Sequence, residues 1–142
     1  MKKGFMILIA VLSALIITAC SNSDELSGKT FDVSEGGSPN DPDKFYTKMK
    51  LEFLDEKKVI NHHLHGEEGT YELKDDKLII QFENENESLE IEFALEESDL
   101  DFSEYSAEIS DSNFQIEDSD QVSKYQKFYF DLPRRNVEFI ER

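Results

Sequence analysis

Apolar and polar residues alternate with a period of two along most of this chain after residue 44. Residues 89–95 read Leu-Glu-Ile-Glu-Phe-Ala-Leu, and residues 128–132 read Phe-Tyr-Phe-Asp-Leu. Successive side chains of a β-strand point to opposite faces, so the pattern predicts strands with one apolar and one charged face. That pattern is typical of antiparallel sheets that have one face in solvent.

Turn-forming residues divide the alternating pattern into short, evenly spaced segments. Examples are Gly66-Glu67-Glu68-Gly69 and Asp75-Asp76, and a long loop is expected at 34–43, which contains two prolines. The phase of the alternation slips near residues 103–104, which predicts a bulge or corner there. We expect eight strands and at most ten. The candidate ranges lie near 28–33, 45–54, 58–65, 69–74, 77–83, 88–96, 100–109, 113–117, 123–132 and 136–141.

A single sheet with this many strands and one apolar face has to close or to fold onto itself. Eight antiparallel strands form the smallest barrel that can hold one small ligand. The sequence therefore predicts an all-β domain, an antiparallel up-and-down meander that closes into a small barrel of eight strands and at most ten.

The first twenty residues have a different pattern. Lys2 and Lys3 precede a stretch that is apolar almost throughout, which ends in Thr18-Ala19-Cys20 and contains the only cysteine. The stretch is shorter than the roughly 20 residues of a membrane span. It resembles the signal peptide of bacterial lipoproteins, which implies a covalent diacylglycerol on Cys20 and an anchor on the extracytoplasmic face of the cell membrane. The alternative is an ordinary signal peptide that ends in a chance cysteine.

Composition limits what the remainder of the chain can do. Residues 21–26 are expected to be a polar tether and residues 27–142 a single domain. Lys2 and Lys3 are the only charged residues before Cys20, so 13 Lys and Arg remain against 32 Asp and Glu, a net charge of −19. Such a surface repels nucleic acid and anionic headgroups, and we expect no nucleic-acid partner.

The opening of the domain resembles the lipocalin-like (calycin) small lipoproteins of Gram-positive bacteria. The segment Leu26-Ser27-Gly28-Lys29-Thr30-Phe31 and the later Gly69-Thr70-Tyr71-Glu72-Leu73 carry the resemblance. In that family a Gly-x-Trp plugs one barrel end beneath a late arginine. Here Gly28 matches and Thr30 replaces the Trp, while no motif selects among Arg134, Arg135 and Arg142. The resemblance implies a barrel that binds a small apolar or amphiphilic molecule.

All three histidines fall within Asn61-His62-His63-Leu64-His65. On a strand, His63 and His65 would point to the same side, about 6–7 Å apart. They are therefore candidate ligands of a zinc or copper ion, with Glu67 or Glu68 as a third ligand. The alternative is a solvated strand edge that binds no metal, and no cofactor other than the diacylglycerol on Cys20 is expected.

Aromatic residues supply the candidate ligand-binding set. Most phenylalanines on the apolar side of the pattern are expected to form a packed core, and those nearest an open end would line a cavity. His62 is a candidate polar group that faces the barrel interior. One of the tyrosines, Tyr125 among them, would offer the ligand a polar contact. The candidate ligand-binding residues are Tyr46, Phe53, His62, Phe93, Tyr105 and Phe128.

No motif indicates catalysis. The chain has no Gly-x-Ser-x-Gly elbow, phosphate-binding glycine loop or dinucleotide fingerprint. We therefore expect a monomeric, non-enzymatic surface lipoprotein that binds a small apolar or amphiphilic molecule. The alternatives are an interaction module that contacts a protein or cationic partner through its acidic exterior or an exposed strand edge, and a metal-capturing lipoprotein.

Overall fold

Eight consecutive β-strands build the domain in the computed structural model, which describes residues 24–37 and 39–142. One short helix, α1 (Gln126–Phe130), lies in the connection before the last strand. The strands are β1 (Thr30–Gly36), β2 (Phe45–Phe53), β3 (Lys58–Asn61), β4 (Glu67–Lys74), β5 (Lys77–Glu83), β6 (Glu87–Glu97), β7 (Tyr105–Ile116) and β8 (Val137–Glu141).

Each strand pairs antiparallel with the next one along the chain, and the last strand returns to the first. β8 pairs with β1 from Phe31↔Glu141 to Glu35↔Val137, which closes the sheet into a barrel. The prediction of an all-β, antiparallel, eight-stranded meander barrel is confirmed.

The period-two pattern directs one apolar row of each strand into the barrel. In β6, Leu89, Ile91 and Phe93 are buried, whereas Glu90 is exposed. Removing this apolar surface from water is the main favourable contribution to folding. The buried core comprises Leu26, Phe31, Val33, Met49, Leu51, Phe53, Val59, Leu64, Tyr71, Leu78, Ile80, Phe82, Leu89, Ile91, Phe93, Leu95, Ala107, Tyr125, Val137 and Phe139.

The two strands predicted at 100–109 and 113–117 are wrong, because β7 runs unbroken through Tyr105–Ile116. Its bulge lies at Ser110, where the register against β6 shifts, and not at residues 103–104. Leu100 and Phe102 belong to the preceding connection, in which Ser103 N–H donates to Leu100 O at 3.1 Å. The alternation there comes from a turn, and Phe102 packs outside the barrel at 5.3 Å from the Phe45 ring.

The strand predicted at 123–132 is also wrong, because this segment contains α1. Tyr129 N–H donates to Tyr125 O at 2.8 Å, an i→i−4 hydrogen bond of the α-helical kind. In a helical turn Phe128 and Leu132, four residues apart, share one side, while Phe130 is exposed. Two apolar residues four positions apart fit helical spacing as well as strand alternation, so the pattern did not distinguish a helix from a strand.

β3 ends at Asn61, four residues before the predicted end of that strand. The backbone turns instead, and Leu64 N–H and Gly66 N–H both donate to Asn61 O at 3.1 Å. The Asn61 side chain caps the turn by accepting from His63 N–H at 3.0 Å. Gly66 has a φ of +72°, a conformation that glycine adopts without strain.

Candidate binding groove and the two barrel ends

The barrel axis is filled by aromatic rings packed edge to face. Phe31 lies 5.9 Å from Phe53 and 5.8 Å from Phe139, and Phe93 lies 5.5 Å from Phe139, measured between ring centroids. Phe53 and Phe93, predicted to line a ligand site, are fully buried here. These contacts stabilise the core, so the candidate site has to be sought at the ends of the barrel.

The two ends differ in what closes them. At the first, called the Asp24 end, β1 begins and β2 ends. At the second, called the Tyr125 end, β1 ends and β2 begins. Short turns surround the Asp24 end, whereas the long connection from β7 to β8, which includes α1, crosses the Tyr125 end.

Asp24 fixes the segment that closes the first end. Its Oδ1 accepts from Leu26 N–H at 2.9 Å, Ser27 N–H at 3.0 Å and Tyr71 O–H at 3.1 Å. Its Oδ2 lies 2.6 Å from Lys57 Nζ. The sequence predicts a tether through Leu26, yet Leu26 is fully buried in this barrel end. We call the contacts of Asp24 with Lys57, Tyr71 and residues 26–27 the Asp24 clamp.

The clamp favours a charged carboxylate. Burial raises the pKa of Asp24, but hydrogen bonds from Lys57, Leu26, Tyr71 and Ser27 outweigh it and hold the pKa below the usual value. Burial and the nearby Asp24 charge raise the pKa of Tyr71, so Tyr71 remains a donor.

Tyr125 closes the other end. Its ring is fully buried 6.4 Å from Phe82, and its O–H donates to Glu67 Oε1 at 2.8 Å. Burial raises the pKa of Tyr125, and the Glu67 hydrogen bond and charge raise it further. Tyr125 therefore seals the barrel as a large apolar ring whose hydroxyl group has a partner.

Glu87 fastens the adjacent connection to this end. Its carboxylate accepts from Ser123 O–H, from Lys124 N–H at 2.6 Å and from Asn84 Nδ2 at 3.3 Å. Burial raises the pKa of Glu87, but these donors together lower it below the usual value. Glu87 is almost completely buried, which is tolerated because its oxygens are paired.

A groove of about 500 Å³ opens at the Tyr125 end, between β2, the turn at 62–66 and the connection to β8. This volume falls within the range of small-molecule sites. The groove is lined by Lys48, Met49, His63, Leu64, His65, Val122, Ser123, Lys124, Lys127, Phe128, Asp131, Leu132 and Pro133.

Basic side chains surround an apolar floor in this groove. Met49 and Leu64 are buried, and Val122 is 95% exposed at the rim. Three lysines and two histidines line the groove against a single acid, Asp131, in a protein of net charge −17. Lys127 forms a salt bridge with Asp131. Lys48 Nζ lies 3.4 Å from Oε2 of Glu35, which is not among the residues that line the groove. The groove therefore suits a molecule that has an apolar part and an anionic group.

A donor lies at the base of the turn that borders the groove. Asn61 is fully buried, and its Nδ2 has no hydrogen-bond partner within residues 24–37 and 39–142. An unpaired buried donor costs roughly 1–3 kcal/mol.

The predicted ligand-binding residues do not form one site. Phe128 lines the groove, whereas Tyr46 is exposed on β2 with Lys44 over its ring at 5.7 Å. His62 Nε2 lies 2.8 Å from Glu52 Oε2 on the outer surface, so His62 does not point inward. Tyr105 packs 6.2 Å from Phe31, and burial with the nearby Glu25 charge raises its pKa to about 12.

The candidate metal ligands lie on a turn and not on a strand, so the strand spacing does not apply to them. His63 and His65 both line the groove. Among the described residues 24–37 and 39–142, no group of three His, Cys, Asp or Glu side chains is arranged to hold a metal ion. Cys20, the predicted lipid attachment site, lies outside the described residues.

Sequence reasoning missed Lys48, Lys124, Lys127 and Val122 as residues of one site. A signal was present in segment 122–135, which carries two lysines and two arginines against one acid in an otherwise acidic chain. Of the three late arginines, Arg142 pairs with the buried Asp32 of β1.

Comparison with known proteins adds no family. Neither the protein-family models, nor the curated proteins, nor the solved structures include a match to this chain. Within the part of the chain that the structure describes, no helix combines the length and apolar character needed to cross a membrane.

Proposed function

We propose that this protein is a membrane-anchored surface lipoprotein, and that its barrel binds a small amphiphilic anion in the groove at the Tyr125 end. The anchor is inferred from the resemblance of residues 1–20 to a lipoprotein signal peptide. The basic rim over an apolar floor carries the binding proposal. The proposed role is binding and not catalysis.

Charge and shape support an anion with an apolar tail. The net negative charge of the protein weakens its attraction for anions in general, but the lysines and histidines of the groove locally offset that charge, so an anionic group meets less repulsion there than on the acidic surface around it. The tail would contact Met49, Leu64 and Phe128, which provide the apolar floor. The ring-packed interior supports a ligand seated in the mouth and not along the axis.

The test is a binding titration of the chain lacking residues 1–20 with oleate, monoolein and dodecylammonium. We expect oleate to bind most tightly. The triple variant Lys48→Gln/Lys124→Gln/Lys127→Gln should weaken oleate binding about tenfold or more, because each screened charge contributes up to about 1 kcal/mol.

The matched control is Lys58→Gln/Lys74→Gln/Lys77→Gln, which removes the same charge away from the groove. The control should leave oleate affinity within about twofold. Equal weakening by both triples would show that only overall charge matters, and tight binding of dodecylammonium would contradict an anion site.

A second candidate function follows from the uneven pairing of β2. β3 pairs only with Leu51–Phe53 of β2, and one further hydrogen bond joins His62 N–H to Lys50 O at 2.9 Å. Residues 45–49 of β2 lie beyond this pairing, beside the groove. An extended acidic segment of a partner protein could add there as a strand.

This candidate predicts binding of an extended, acidic, valine-rich peptide through its main chain. Methylation of alternate peptide nitrogens facing β2 should abolish binding, whereas methylation of the intervening nitrogens should not. Equal affinity of both methylated peptides would exclude strand addition.

A further inference from the structure

The Asp24 clamp lies very close in sequence to the proposed lipid attachment site. Only residues 21–23 separate Cys20 from Asp24. From Asp24 onward the chain is held in place, since Leu26 is buried and Gly28 N–H donates to Phe53 O at 2.9 Å. Gly28 makes the required turn with a φ of +81°.

The clamp sets how far the barrel can move from its anchor. Four residue steps from Cys20 to Asp24 span at most about 14 Å when fully extended. Without the clamp the first backbone hydrogen bond to the barrel would be the one from Gly28 to Phe53, and the eight steps from Cys20 to Gly28 would span up to about 28 Å. The clamp therefore shortens the reach of the tether about twofold.

We propose that the clamp orients the barrel on the membrane, with the Asp24 end toward the lipid surface and the groove directed away from it. This inference rests on the proposed lipid anchor at Cys20. The strands make the barrel roughly 20 Å long. A groove at the far end consequently lies beyond the headgroups and open to ligands arriving from outside.

Charge at the Asp24 end determines how the barrel stands on the surface. The turns around this end carry Asp55, Glu56, Asp75 and Asp76, and the neighbouring loop carries Asp99. Anionic headgroups repel these carboxylates, so the end does not embed in the bilayer. The short tether keeps it near the surface against this repulsion.

Energy transfer from a fluorescent amino acid to acceptor-labelled headgroups tests the orientation. The mature, acylated chain is bound to phosphatidylglycerol vesicles, with the fluorophore replacing either Asp76 at the Asp24 end or Asn40 at the Tyr125 end. We expect transfer from position 76 to exceed transfer from position 40 at least twofold. Equal transfer, or greater transfer from position 40, would overturn the inference.

Breaking the clamp should reduce the difference between the two positions. Asp24→Ala removes the acceptor of all the clamp contacts. Lys57→Ala removes one of these contacts and replaces Asp24→Ala in the experiment if that variant folds poorly. Asp99→Ala is the matched control, because it removes the same charge at the same end without touching the clamp. The twofold difference in energy transfer between positions 76 and 40 should shrink in the clamp variants and persist in the control. A difference that persists in the clamp variants, or that shrinks in the control, would overturn the role of the clamp.

Mass spectrometry of the mature chain separates this inference from the lipoprotein proposal. If no acyl chains are found, the lipoprotein proposal fails. The same energy-transfer comparison on chain 20–142 with a synthetic lipid on Cys20 then still tests whether the clamp orients the barrel.

Discussion

The two ends of this barrel are sealed by the same chemistry but differ in what they leave open. At each end a buried tyrosine donates to a carboxylate, Tyr71 to Asp24 and Tyr125 to Glu67. The Asp24 end is closed by a short segment held close to the strands. The Tyr125 end is crossed by a long connection, which leaves a groove with a basic rim. Equivalent seals can therefore support a closed end and an open, ligand-accessible end.

Removing the large side chains that seal the ends should give the largest effects on stability. Tyr125→Ala should lower the free energy of unfolding by about 3–5 kcal/mol and Leu26→Ala by about 2–5 kcal/mol, because both side chains are fully buried. Urea unfolding measures both. Phe102→Ala, at a ring that is 53% exposed, is the control and should cost about 1 kcal/mol or less. A loss below 1 kcal/mol for Tyr125→Ala would mean that its end is not sealed as described.

Neutralising the carboxylates of Asp24 and Glu87 should give intermediate effects at opposite ends. Asp24→Asn and Glu87→Gln should each cost about 1–3 kcal/mol, because each leaves hydrogen-bond partners poorly matched. Hydrogen exchange should locate the loosening at residues 24–29 in the first variant and at 117–126 in the second. Protection lost equally at both ends in either variant would show that the seals are coupled, which contradicts two independent ends.

Acid should loosen both ends, with a sign that follows from the lowered pKa values. A carboxyl whose folded pKa lies below its unfolded value stabilises the fold above the unfolded pKa, and this contribution is lost as the pH falls through the folded pKa. The reference values are 3.8 for Asp24 and 4.5 for Glu87, and both are lowered in the fold. Stability should therefore decline below about pH 4, and the decline should be shallower in Asp24→Asn/Glu87→Gln. An equally steep decline in the double variant would assign the effect to other carboxylates.

The smallest expected effect on stability is at the groove rim. Val122 is 95% exposed, so Val122→Asp should change the free energy of unfolding by no more than about 0.5 kcal/mol. The same change places a negative charge beside the proposed anion site and should weaken oleate binding severalfold. Thr70→Asp, on the exposed outer face of β4, is the control. Unchanged oleate affinity in Val122→Asp would place the ligand elsewhere.

The sequence predicted the barrel well because strand alternation is a local property. Each strand carries its own inward row, as Leu78, Ile80 and Phe82 do in β5, and closure follows from the number of strands. Residues 100–104 and 123–132 were mispredicted because their apolar residues pack on the outside or at the barrel end. Side chains such as Phe102 and Phe128 alternate without belonging to the sheet.

The candidate groove could not be predicted in the same way. Lys48 is in β2, His65 is in a turn and Lys124 is in the final connection, so only closure of the barrel brings them together. Residues chosen for their apolar pattern, Phe53 and Phe93, were instead used to fill the core. Tyr125 was noted as a polar contact, but its role in sealing the barrel depends on Glu67, which is distant in sequence.

An amide-resolved NMR titration of the chain with decanoate tests the central contrast between the two ends most directly. The account predicts saturable shifts at His63, Leu64, Lys124 and Lys127, with the amides of Leu26, Ser27 and Lys57 unchanged. Shifts concentrated at the Asp24 end, or no saturable shifts at all, would contradict the assignment of the Tyr125 end as the binding end.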